Sequence, residues 1–152
     1  LEWLTEGKGN ATLDNIEKIS GLTSLKITPP QRYSNKIPNW SFKIRENPNP
    51  GEFRYLRLAW KAPNAKGVML EIANNGKWPD PNSANGRYFS GENTSDWQAK
   101  QLKQLIPKEW TIEIADLWKD CGNITITGIA PTALGGPAWF DQIELYRTKP
   151  NK

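Results

Sequence analysis

The chain has 152 residues, enough for one domain, and carries 20 basic against 16 acidic residues for a net charge of +4. It has no histidine and a single cysteine, Cys121. That excludes an intrachain disulfide, histidine-based acid–base and nucleophile systems, and most zinc sites. Both charge signs are scattered, which argues against a nucleic-acid partner, and no apolar run is long enough to span a membrane.

The chain starts abruptly on "LEWLTEG" and reads as a piece of something longer. Strand signals follow. Thr23–Pro29 alternates Leu25 and Ile27 against polar neighbours. Five of the twelve prolines then fall between Pro29 and Pro50. Proline cannot pair centrally in a sheet, so this segment is expected to cross one end of the fold as an ordered excursion.

Phe53–Lys61 alternates strictly, with Leu56, Leu58 and Trp60 on one face and Tyr55, Arg57 and Ala59 on the other. Gly67–Ala73 repeats the pattern, setting Val68, Leu70 and Ile72 against Met69, Glu71 and Ala73. Next comes "NNGKWPDPNSANGRYFSG", Asn74–Gly91, in which Trp78, Tyr88 and Phe89 stand among turn-forming residues. Such a loop either folds back over its aromatics or holds them out to a ligand. Arg87–Gly91 is a short strand candidate, and Asp96–Pro107 reads as a helical turn or a strand.

Glu109–Leu117 predicts a strand with Trp110, Ile112 and Ile114 inward and Thr111 and Glu113 outward. Ile114–Gly122 predicts a short helical turn ending at Gly122. Asn123–Pro131 and Ala138–Arg147 complete the strands, the last with Phe140, Ile143 and Leu145 inward around an irregularity. Seven or eight strands with Gly, Pro and Asn breaks predict an all-β fold, a two-sheet antiparallel β-sandwich. Residues 1–148 form the one domain, and 149–152 read as a linker stub.

Three stretches carry a resemblance: Ile19–Ile27, Glu109–Gly122 and Ala138–Arg147. In that order they resemble a jelly-roll carbohydrate-binding module of the galactose-binding-like superfamily. The segment Pro29–Lys61 also resembles a module of large bacterial surface or secreted multidomain proteins. The resemblance implies a jelly roll without catalysis, appended to a larger protein outside the cell, on its surface or in the periplasm. It also implies a structural Ca2+ held by Asp141 on the last strand, with Glu17, Ser20 and Thr23 as weaker candidates. The alternative for Asp141 is that it is exposed or capped by a backbone amide.

Flat aromatic faces stack on sugar rings, and polar neighbours select hydroxyl patterns. Trp78, Tyr88, Trp97 and Tyr33 are the candidate aromatic contacts, with Phe89 packed inward. Arg57, Glu71 and Arg87 are the candidate polar contacts, the alternative being cross-strand ion pairs. Trp60 and Trp110 are read as core. The expected function is non-catalytic polysaccharide binding by a monomeric module. The competing reading is a protein–protein or surface-display module. An enzyme using carboxylates such as Glu71 and Asp80 lacks any recognisable spacing of catalytic groups.

Overall fold

Leu56, Leu58 and Trp60 do face the core, and the strand that carries them, β4 (Tyr55–Lys61), sits near the middle of a sheet. The computed structural model describes residues 1–152 and contains nine further strands. They are β1 (Ala11–Asp14), β2 (Ser24–Ile27), β3 (Phe42–Ile44), β5 (Gly67–Asn74), β6 (Arg87–Gly91), β7 (Lys100–Lys103), β8 (Thr111–Asp116), β9 (Ile124–Leu134) and β10 (Ala138–Tyr146). Two short helices, α1 (Glu2–Thr5) and α2 (Leu117–Cys121), are the only helical pieces.

The strands form two five-stranded sheets, in the orders β1-β2-β10-β4-β8 and β3-β9-β5-β6-β7. This is the two-sheet β-sandwich that the alternating segments predict. Its core lies between the sheets and is built on Trp60, Phe140, Tyr88, Leu58, Leu70 and Val68. The Trp60 and Phe140 rings meet edge to face at 6.0 Å, an arrangement that aromatic quadrupoles favour.

One pairing departs from the antiparallel expectation. The segment after Asp96 becomes β7, which pairs in parallel with β6. The helical turn near Gly122 forms as α2, where the Asp116 carboxylate accepts from the Lys119 backbone N–H at 3.1 Å. The irregularity in β10 is a register shift between Asp141 and Glu144, with Gln142 at φ 49°.

The strand β8 is turned over relative to the expected face. Glu113 pairs with Leu58 and Ala115 with Leu56, so Glu113 and Ala115 point inward. Ile112 and Ile114 share the outer face with Ala59 and Arg57, and Trp110, one step beyond the strand, is half-buried there rather than in the core. The reason lies at the open edge of the sandwich. Inward-facing Glu113 accepts from Lys103 of β7, on the edge of the opposite sheet, at 2.7 Å. An inward charge on an edge strand also blocks pairing with another chain.

The proline-rich excursion contains the edge strand β3, and its 34–37 portion lies against β9. The Ile37 N–H donates to the Thr127 carbonyl, and the Thr127 hydroxyl donates to the Asn35 carbonyl, each at 2.8 Å. Gly128 is required there: a Cβ on it would lie 2.6 Å from the Ser34 carbonyl oxygen.

Candidate functional site

On β6 the side chains alternate sharply. Tyr88 pairs with Leu70 and points into the core; Arg87 pairs with Glu71 and points to the outer face. Outward does not mean exposed here. Arg87 is 0% exposed, because residues 78–86 and 92–98 fold over this side of the sheet.

Arg87 holds that cover in place. Its Nε donates to Glu71 Oε1 at 3.0 Å. Its Nη1 donates to the carbonyls of Asp80 and Ser83 at 3.0 Å and of Gln98 at 3.2 Å. Its Nη2 donates to the Pro79 carbonyl. A guanidinium offers five donors in a fixed fork, so one side chain fixes two loop segments and one carboxylate. Burial pushes the Glu71 carboxyl above the ordinary glutamate value, and Arg87 pulls part of that shift back.

The Arg87 guanidinium also lies over the ring of Trp97, 4.8 Å from its centroid. Trp97 nevertheless remains 44% exposed. One side of its ring is therefore fixed by a buried cation while the ring still reaches solvent. It lines a concavity of about 340 Å³ together with Asn82, Phe89, Asn93, Asp96 and Gln98. The rim is divided. The Asn93 amide is committed, donating to the Trp97 carbonyl at 2.7 Å and accepting from Ser95. The side chains of Asn82, Asp96 and Gln98 make no hydrogen bond within the protein.

Three predicted contacts, Arg87, Glu71 and Trp97, thus come together, though the first two are structural. Others separate. Tyr88 is 1% exposed and its hydroxyl donates to Asp120 Oδ2 at 2.7 Å, so it is a core residue and no ligand contact. Phe89, expected inward, lies on the outer face beneath the loop cover, because the strand register gives the inward position to Tyr88. Trp78 is half-buried beside Pro79, whose carbonyl Arg87 holds. Tyr33 packs against the core with its hydroxyl shielded, and burial pushes that hydroxyl's pKa up. Arg57 lies on the outer face of the other sheet, donating to Gln142 Oε1 at 3.0 Å and Glu144 Oε1 at 3.3 Å.

The residues proposed for Ca2+ are already engaged. Asp141 Oδ2 accepts from the backbone N–H groups of Ile19 and Ser20 at 3.0 and 3.3 Å, and Oδ1 accepts from Gln142 at 2.8 Å. Glu17 pairs with the Lys61 ammonium, and exposed Thr23 makes no side-chain hydrogen bond. The carboxylates of this set are partnered by backbone amides and by the Lys61 ammonium. The backbone-capping alternative for Asp141 is the observed one.

A second group escaped the sequence reading. On the outer face of the first sheet, Lys61 lies 5.8 Å from the Trp110 ring centroid and 5.7 Å from that of Trp139. Lys26 lies 5.4 Å from Trp139, whose indole N–H donates to Asp14 at 2.9 Å. The row forms because the β4–β8 register turns Trp110 to the outer face rather than the expected inner one. Lysines lie beside both rings, and the Trp139 indole donor is taken by Asp14.

No family model matches the chain, and no curated protein matches it.

Proposed function

We propose that the protein is a non-catalytic carbohydrate-binding module whose platform is Trp97. One observation carries this reading: a half-exposed tryptophan ring is held by a fully buried arginine beside unpaired amide and carboxylate side chains. A ring whose orientation is fixed before binding loses little entropy when a sugar stacks on it. Asn82, Asp96 and Gln98 then offer donors and acceptors to hydroxyl groups. Hydrolysis by paired carboxylates finds no support at this concavity, which has Asp96 as its one lining carboxylate, while Glu71 is locked to Arg87.

The test is affinity electrophoresis of the domain and of its Trp97→Ala variant through gels holding neutral and anionic polysaccharides. Retardation lost in the variant supports the reading. Retardation unchanged in the variant defeats the assignment to Trp97, and none with any polysaccharide defeats the function.

A second reading, a protein-interaction module, rests on a different observation. Leu13, Ile16 and Leu22 are 61%, 83% and 83% exposed within one short segment around the edge strand β1. Replacing all three by serine leaves glycan retention intact if the first reading holds.

A further inference from the structure

Between the sheets, next to the core, lies a cleft of about 290 Å³ walled by ten apolar side chains and no polar one. Leu56, Leu70, Ile72 and Ile126 form its buried wall, while Phe53 and Leu145 are half-buried. Protein interiors pack to crystal density, so a space of this size is not ordinary packing slack. Water against these walls finds almost no hydrogen-bond partner in the protein. A cavity of about 150 Å³ suffices for a benzene ring, so this cleft takes an apolar chain of about ten carbon atoms.

Phe53 and Leu145 also line an adjoining surface concavity with Arg54, Arg147, Lys149 and Glu46. Arg54 is bound to Asp116 at 2.9 and 3.0 Å. Arg147 and Lys149 are exposed and make no salt bridge or side-chain hydrogen bond. Ile143 and Leu145 both wall the cleft, and Arg147 follows at the same two-residue spacing just past the end of β10. Apolar walls thus lead to a rim where two unpaired cations outnumber one unpaired carboxylate, Glu46.

We propose that this cleft binds the hydrocarbon chain of a single-chain anionic amphiphile, a fatty carboxylate, with its headgroup at Arg147 and Lys149. The chain replaces unpartnered space by dispersion contacts and leaves water. The carboxylate stays solvated at the rim, where the two cations attract it at little desolvation cost.

The test is calorimetric titration of the full chain with decanoate and with decanol, both below aggregation. One decanoate per chain is expected, with decanol binding about fivefold more weakly, the scale of solvent-exposed ion pairs. The double variant R147E/K149E is expected to weaken decanoate about fivefold or more and leave decanol unchanged. Both positions are exposed, so that variant keeps the fold. Ile129→Phe fills the cleft and is expected to abolish both ligands, its melting curve confirming a folded domain. Trp97→Ala is expected to leave decanoate binding unchanged, which separates this inference from the glycan reading. No binding of either ligand overturns the proposal, as does binding that survives Ile129→Phe. Equal binding of acid and alcohol, indifferent to charge reversal, overturns the assignment of an anionic headgroup.

Discussion

Two arginines leave the core on the outward faces of the two sheets, and they end in opposite environments. Arg57 of β4 meets Gln142 and Glu144 with its partner Glu144 side chain 47% exposed. Arg87 of β6 is sealed under two loop segments and spans Glu71 and four backbone carbonyls. Strand alternation is the same in both. What differs is what the neighbouring loops do. The lesson is that period-two patterning tells which side of a sheet a residue takes, while coverage by chain distant in sequence decides whether that side is wet.

The comparison breaks most visibly at Arg87. Arg87→Ala leaves Glu71 buried without its partner and frees the loop carbonyls, so stability is expected to fall by about 3–5 kcal/mol in urea titration. A smaller loss would mean that the loop cover is held by other contacts. Trp97→Ala is expected to cost about 2 kcal/mol of glycan affinity, the scale of an aromatic anchor, by affinity electrophoresis. Its cost in stability should be no more than about 1 kcal/mol, from the lost cation–π contact. Tyr88→Phe, on the inward side of the same strand, removes one hydrogen bond to Asp120. It is expected to destabilise by about 1 kcal/mol without touching glycan binding. Arg57→Ala, the counterpart of the first change, is expected to cost at most about 1 kcal/mol.

Acid titration sharpens the same contrast through two carboxylates. The Arg54 hydrogen bonds hold Asp116 below its ordinary value of 3.8. Its contribution to stability is complete above that value and drains away as pH falls through the folded-state value. Burial holds Glu71 above its ordinary 4.5. Between that value and its raised one, the folded state keeps a proton that the unfolded chain has released, so stability falls as pH rises through this window. Urea midpoints measured against pH should therefore change less steeply than the parent's below pH 3.8 in Asp116→Asn and lose the Glu71 contribution above pH 4.5 in Glu71→Gln. If either variant keeps the parent's slope in its window, the environment assigned to that carboxylate is wrong.

The candidate site was legible only in part. Trp97 is legible because a large aromatic stands in a segment without alternation, and its ring is 44% exposed. Tyr88 reads as a loop contact because the turn formers that begin at Asn74 run up to the start of its strand at Arg87, and only pairing with β5 shows that it faces inward. For Trp110 the difference lies in the choice of face. Its stretch alternates cleanly, but alternation alone leaves open which set faces inward, and pairing with β4 put Glu113 inside. Asp141 stands out in the sequence as a carboxylate between apolar residues. The amides of Ile19 and Ser20 that satisfy it lie over 120 residues away in the chain.

By itself the amino-acid sequence determined the class of fold: side chains that repeat every two residues between turn formers bury one face of a sheet, and two such sheets bury each other. It also determined that this chain has no histidine and no intrachain disulfide, since those depend on composition alone. Tertiary structure decided the rest. The face β8 turns inward, the parallel pairing of β7, the sealing of Arg87 and the apolar cleft all depend on contacts between segments far apart in sequence. Such contacts are selected by the packing of the whole sandwich, and no local pattern encodes them.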